Sequence, residues 1–542
     1  MLVLRVAVVL ALCACAASDR YHAEPPARAA AAPAPRQAEL TKAYWYDEAQ
    51  AAIEKRARRS AGKGKAKNIV FFLGDGMSIP TLAAARTLLG QRQGRTGEES
   101  ELSFESFPSV GLSKTYCVNH QIADSACSAT AYLCGVKNNY GTLGLTAAVA
   151  RHDCEASLDA STHLESIAAW AIQDGRDAGV VTNTRITHAS PAGLYAKAAN
   201  RNWERDEQVT AANVNISSCP DIAHQLIHHY PGNEFKVILG GGRREFYPNT
   251  IRDEEDSLGR RTDDRNLVEE WFEEKRSRNA TYKYLWNRSQ LKDALNDPPD
   301  YILGLFEDTH IPYHAEANNE TEPTLAEMTE LAIKTLQRNE NGFFLFVESG
   351  RIDHAHHANY VELALDETIR LSDAVTVATE LLSEEDSLIV VTADHAHVMA
   401  FNGYTQRGGS IVGRSDYTGQ DGVPYMTISY ANGPGARAHT DGVRVDVTAE
   451  ENFGDLRWRS HAEVPLSSET HGGDDVGVFA RGPHHDLFTG VYEQSQLPHL
   501  MAYAGCFGPG PHACNAAPVL ANTIAFTSLL VVLLAIQRFL YL

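Results

Sequence analysis

The sequence predicts an α/β fold: one large, mostly parallel central sheet with helices on both faces, plus a small inserted surface subdomain. Three observations predict it. Short apolar runs recur without the polar–apolar alternation of a half-exposed strand, amphipathic stretches lie between them, and one Gly- and Tyr-rich span breaks the rhythm.

Taken in order, residues 1–17 read as a secretory signal peptide. A basic Arg5 precedes an apolar run that is too short to span a membrane, and small residues Ala16 and Ala17 mark the cleavage point. Residues 18–67 form a low-complexity segment and a helical arm. The stretch 20–38 is rich in Ala and Pro. From 44 to 59 the pattern turns helical, with Trp45, Ala49, Ala52 and Ile53 on one face, and a basic Gly/Lys linker follows at 60–67. A catalytic domain is then expected over 68–505. Its apolar runs are 68–73, 179–182, 236–239, 342–347 and 387–392, each rich in β-branched or aromatic residues and bounded by turn residues. Helical stretches at 161–174, 323–338 and 359–382 separate them, and 401–465 reads as the insertion. A linker at 506–517 ends in Asn515-Ala516-Ala517, and a hydrophobic tail runs from 518 to 542. A single transmembrane anchor would explain that tail. Its flush end, the lack of a basic flank and the small residues before it fit a GPI-attachment signal better, with Asn515 as the attachment residue.

Composition narrows the function. The 542 residues allow one large core with insertions or two domains. A formal charge of −21 argues against nucleic acid as a partner and requires a local positive centre for any anionic substrate; bound cations would supply one. Of nine cysteines, Cys13 and Cys15 leave with the signal peptide. The remaining seven suggest three disulfides and one free thiol in an oxidising compartment, and the absence of a Cys-x-x-Cys pair disfavours a cysteine zinc site. Acceptor sequons at Asn215, Asn279, Asn287 and Asn319 indicate a glycosylated exterior.

The chemistry collects where the apolar runs end, which is where open α/β sheets bind ligands. Asp75 follows the first run. Glu348 follows 342–347 and leads into Asp353, His354 and His357. Asp394, His395 and His397 follow 387–392, and Thr187, His188 and Ser190 follow 179–182. Asp75 alone would pass for a helix cap and His471 for a structural histidine in a tight, exposed turn. The pairs His228-His229 and His484-His485 read as surface residues. Asp353 and His357, however, sit at i and i+4 and share a helix face, so they can hold one metal, and Asp394-His395 a second. Mixed carboxylate and imidazole ligation suits zinc; Asp75, Ser190 and Glu348 suit magnesium. Ser125 opens a helix after Asp124, in the positive end of its dipole. No Gly-x-Ser-x-Gly elbow is present, so metal activation of Ser125 is expected rather than a triad.

These segments resemble the animal alkaline phosphatases of the GPI-linked cell-surface kind. The likeness rests on Gly74-Asp75-Gly76-Met77, Asp124-Ser125 through Gly135, Thr187-His188-Ala189-Ser190, Asn200-Arg201-Asn202-Trp203, Arg351-Ile352-Asp353 through His357, Asp394-His395 and Glu469-Thr470-His471-Gly472, in family order over 68–505. The resemblance implies hydrolysis of phosphate monoesters at alkaline pH through a phosphoserine on Ser125, with Arg201 clamping the phosphate. It implies one zinc on Asp353, His357 and His471, a second on Asp75, Asp394 and His395, and magnesium on Asp75, Ser190 and Glu348. His188 and His354 would tune the magnesium site from behind. A calcium site would use Glu255, Phe306, Glu307 and Glu322, the last standing where vertebrate members carry Asp. It further implies a homodimer, with 401–465 as a crown at the interface and the helix 44–59 reaching across to the partner.

The likeness also implies bridges Cys154–Cys219 and Cys506–Cys514. Cys127, two residues after Ser125, departs from the family pattern, as does Ser349, which replaces a usual glycine. A Cys117–Cys127 bridge bracing the nucleophile loop is suggested, which leaves Cys134 as the free thiol. The competing expectations are a phosphodiesterase or sulfatase-like relative on the same scaffold, and a surface binding protein that has lost catalysis.

Overall fold

The computed structural model describes residues 37–57 and 64–515. The signal peptide, the Ala/Pro-rich stretch up to 36, residues 58–63 of the arm and basic linker, and residues 516–542 with the hydrophobic tail lie outside the described residues. Among the described residues no helix is long and apolar enough to cross a membrane.

Eight strands come first: β1 (Asn68–Gly74), β2 (Ser109–Lys114), β3 (Asp177–Arg185), β4 (Val237–Gly241), β5 (Tyr282–Leu285), β6 (Tyr301–Leu305), β7 (Phe343–Ser349) and β8 (Ser387–Ala393). Short strands follow: β9 (Ala396–His397), β10 (Met399–Phe401), β11 (Arg414–Thr418), β12 (Pro424–Met426), β13 (Ile428–Gly433), β14 (Ala462–Pro465) and β15 (His471–Gly472). Last are β16 (Val476–Arg481) and β17 (Gly490–Glu493). Ten strands make one sheet in the order β17-β2-β16-β8-β1-β7-β3-β4-β6-β5. All neighbours are parallel except that β16 runs antiparallel to both β2 and β8, so the sheet is mostly parallel, as expected, with one reversed strand.

The alternating side chains of each central strand enter different cores. Ile69, Phe71 and Leu73 face one side with Phe344 and Phe346. Val70 and Phe72 face the other with Phe343, Leu345 and Val347. Both faces are dry, which explains why these strands read as unbroken apolar runs. The helices Ser125–Cys134, Ile167–Gln173, Ile222–His228 and Leu497–Gly505 cover the first face. Ile79–Arg92, Leu325–Leu336 and Val361–Leu381 cover the second. Local signals set their ends: Ser78 caps the first turn of Ile79–Arg92, and Thr324 with Glu327 forms a capping box. The arm helix runs from Lys42 to Ala57 and buries Trp45, Ala49 and Ile53 on one side.

Residues 401–465 leave the large sheet. They carry β11 and β12 as a two-stranded ribbon and β13 and β14 as a small sheet with β10. Met426, Val447 and Trp458 form their own small core. Three disulfides close, Cys117–Cys127, Cys154–Cys219 and Cys506–Cys514. Cys134 is a buried free thiol whose pKa burial pushes up to about 11. Asn215, Asn279 and Asn319 are exposed. Asn287 is half-buried, and its side-chain oxygen accepts from the Gln290 N–H to cap a helix.

Candidate active site

Sheet register brings the site together. Leu73 of β1 lies beside Glu348 of β7 and beside Thr392 of β8, so Asp75, Glu348 and Asp394 emerge at neighbouring strand ends. The next strand sets Thr182 beside Glu348. Its hydroxyl donates to Glu348 Oε2 at 2.5 Å, and that of Thr184 donates to the same oxygen at 3.2 Å.

Ser125 is the first residue of its helix, fully buried, with Asp124 as the N-cap accepting from the Cys127 N–H. The other end of that helix closes on Gly135 at φ 73, a left-handed position that favours glycine. Ser125 Oγ lies 3.3 Å from Nε2 of His395. Arg201, also buried, donates from Nη1 to Asp124 Oδ2 at 3.0 Å and approaches His188 Nε2 with Nη2 at 3.2 Å. The phosphate-clamp candidate is thereby held beside the serine.

His395 belongs to a set of four buried groups of acids and histidines that share members. Asp75, Asp394 and His395 form one; Asp75, His188 and Glu348 another; Asp353, His395, His397 and His471 a third; His357, His397 and Glu469 a fourth. Asp75 belongs to two of them. Ser190 Oγ donates to Asp75 Oδ2 at 3.5 Å. Asp353 Oδ1 lies 3.3 Å from Nε2 of both His357 and His471.

The residues fit divalent cations. Nδ1 of His357 donates to the Glu469 carbonyl and Nδ1 of His471 to the Ala123 carbonyl, which fixes both tautomers. Their Nε2 lone pairs then face each other 3.1 Å apart beside a carboxylate, an arrangement that a cation between them would stabilise. Asp75 Oδ1, Glu348 Oε1 and Asp353 Oδ2 are buried with no hydrogen-bond partner. Burial, followed by the charges of Asp394, Asp353 and Glu348, drives the Asp75 carboxyl well above the usual range. Cations would relieve that repulsion.

The structure corrects two expectations and adds two residues. His471 is not in an exposed turn: it pairs with His397 in the β9–β15 ribbon and is buried. His484 is buried too, donating to the Gly64 carbonyl at 3.1 Å. His397 and Glu469 are the added residues, and neither has a role assigned by sequence alone. His397 bridges Asp353 Oδ1 at 2.8 Å and Glu469 Oε2 at 2.5 Å. Burial opposes its charge, but Glu469 and Asp353 overcome that and raise it to about 10. The spacing Asp394-His395-Ala396-His397 was the available signal for it.

His354 packs against His188 and takes an Arg351 N–H at Nδ1. In the region expected to hold calcium, burial followed by Glu255 and Glu322 pushes Glu307 up to about 8. Glu322 keeps one buried oxygen without a partner, Phe306 is buried, and Glu255 pairs with Arg243.

A family model described as alkaline phosphatase matches residues 66–507. The chain is 61% identical to the membrane-bound alkaline phosphatase of Bombyx mori, covering 96% of this chain and 94% of that one. It is 44% identical to the tissue-nonspecific isozyme of Gallus gallus, over 91% and 94%. Among solved structures, the Thermus thermophilus alkaline phosphatase superposes with a TM-score of 0.58 at 21% identity, covering 88% of this chain and 97% of that one. The enzyme of the Antarctic bacterium TAB5 gives 0.55 at 19%, over 82% and 99%. These two likenesses concern the fold.

Proposed function

The chain belongs to the alkaline phosphatase family and is a metal-dependent phosphomonoesterase, and we propose that it works through a phosphoserine on Ser125 with two zinc ions and one magnesium ion. The observation that carries this reading is the contact of Ser125 with His395, a member of two of the buried acid and histidine groups, with Asp75 likewise common to two. Asp353, His357 and His471 would hold one zinc and Asp75, Asp394 and His395 the other. Asp75, Ser190 and Glu348 would hold magnesium, with His188 and His354 behind it. When bound, the cations neutralise phosphoryl charge, favour ionised Ser125 and stabilise the leaving oxygen.

The chain's own residues do the rest. Arg201 offers a planar fork to two phosphate oxygens, and Asp124 fixes the plane of that fork. The helix that Ser125 opens directs N–H groups at the anion. Ser125 Oγ attacks phosphorus as the bond to the alcohol breaks, and the proton lost from Ser125 ends on the departing alcohol. Water then attacks the phosphoserine, releasing inorganic phosphate and restoring the hydroxyl.

In the same reading the catalytic domain spans 68–505, the enzyme is a homodimer with 401–465 as its crown, and a GPI lipid on Asn515 holds it at the outer face of the plasma membrane. The relative from Bombyx mori, described as membrane-bound, supports the last point. Comparing kcat/KM for a phosphate monoester with that for the matched diester tests the function. The monoester is expected to be favoured by at least about 10²-fold, a difference in transition-state binding; a preference for the diester would refute the reading.

Calcium on Glu255, Phe306, Glu307 and Glu322 is a separate proposal. Added calcium should raise the Tm of the zinc- and magnesium-loaded enzyme by several degrees, on the order expected for a site filled well above its Kd. Glu307→Gln should remove that shift, as read by calorimetry.

A further inference from the structure

We propose that the Cys117–Cys127 disulfide is a positioning element for the reaction: it sets the turn that presents Ser125, so that turnover depends on it far more steeply than phosphate binding does. The inference rests on the reading of Ser125 as the nucleophile.

The bridge closes a loop of sequence separation 10 around three consecutive residues that each touch the site. The Ala123 carbonyl accepts from His471 Nδ1 at 2.7 Å and so orients that ring. Asp124 accepts from Arg201 at 3.0 Å, and its other oxygen accepts from the Gly141 N–H at 3.0 Å. Ser125 follows directly. One short segment therefore carries the nucleophile, the partner of the phosphate clamp and the orienting group of a candidate zinc ligand.

That segment has little regular structure of its own. Residues 115–124 contain neither helix nor strand, and Gln121 and Ile122 are exposed. Cys117 anchors it three residues after β2 ends, where the Val118 N–H donates to the Asn138 carbonyl at 2.9 Å. Cys127 anchors it in the first turn of the helix. The two cysteines and Ala123 form a small buried cluster with Tyr140 packed against it. A covalent closure across a short irregular loop removes conformational freedom that a few hydrogen bonds would leave. Freedom at this place matters, because misplacing a reacting group by about 1 Å can cost on the order of 10²-fold in rate.

The Cys506–Cys514 bridge provides the contrast. It closes a similar separation of 8 but lies at the other end of the strands, where Gly505 packs beside Phe507 and Ile69 at the start of β1.

The test compares C117S/C127S, the apolar version C117V/C127A and C506S/C514S, all zinc- and magnesium-loaded; the two site versions guard against one failing to fold. The site variants are expected to lose about 10- to 100-fold in kcat. Their Ki for inorganic phosphate should stay within about threefold of the parent, a difference confined to the transition state, with metal content unchanged. C506S/C514S should keep the parental kcat and lower only Tm. A parental kcat in either folded site variant would overturn the proposal. So would a joint fall of kcat, phosphate affinity and metal content, because that outcome assigns the bridge to the fold alone. Acid-quench trapping of phosphoserine in the parent is read separately: its absence would sink the nucleophile assignment, whatever the bridge does.

Discussion

Replacing Ser125 by alanine is expected to lower kcat for phosphate monoesters by about 10³-fold or more, to abolish acid-stable phosphoprotein and to leave the metal content unchanged. The side chain is fully buried at the first turn of its helix, and removing one hydroxyl there opens little space. Its hydroxyl faces His395 Nε2, but His395 keeps Asp394 at 3.0 Å as a neighbour after the substitution. The fold and the acid–histidine groups should therefore survive, and the loss should fall on the covalent step. Residual turnover would come from direct attack by water at a site that still neutralises phosphate charge. Phosphorylation of the folded, metal-loaded variant at another residue, with undiminished rate, would contradict the assignment of Ser125.

Replacing Asp75 by asparagine is expected to have an effect of similar size on turnover and an opposite sign on two forms of the protein. Asp75 belongs to two of the buried groups, so its loss should weaken two cations and lower kcat by about 10³-fold or more. Metal analysis should find fewer than three ions per chain. Without metals the balance reverses. The Asp75 carboxyl is driven up by burial and then by Asp394, Asp353 and Glu348, so a neutral amide relieves like-charge repulsion. Chelator-treated Asp75→Asn should then unfold at a higher denaturant midpoint than chelator-treated parent, with an unfolding free energy larger by on the order of 1 kcal/mol. The metal-loaded pair should show the reverse order. Equal midpoints in the chelated pair would mean that the acidic cluster is not held together against its own repulsion.

How far the sequence could be read depended on what each residue needed from distant parts of the chain. The strands β1, β3, β4, β7 and β8 are covered on both faces, so each reads as an apolar run, and Asp75 and Asp394 mark the ends of β1 and β8. The strand β2 alternates buried and exposed residues over Ser109–Lys114, carries Gly111, and gives no such run. Its partner β16 runs antiparallel to its neighbours, a direction that no local pattern encodes. Glu348 and Ser349 belong to β7 itself, so that strand extends two residues beyond its apolar run.

The site divides in the same way. Asp353 and His357 could be paired from spacing alone, because one helical turn joins them. The link from His397 to Glu469 could not, since 72 positions separate them and only the β9–β15 register brings them into contact. The apparent exposure of His471 came from its Gly472-Gly473 neighbours, which usually signal an open turn. The pairing of His471 with His397 removes it from water.

That same ribbon has a consequence for how the family can diversify. The chain departs at β9 and returns at β15 on the same rung, so the whole intervening excursion begins and ends at one pair of hydrogen-bonded residues. The entropic cost of closing such an excursion grows only with the logarithm of its length. Segments can therefore be gained, lost or exchanged within it at small cost, while the two histidines at its feet keep their separation. The outer surface is free to drift, and the metal ligands below it are shielded from that drift by a two-residue clasp.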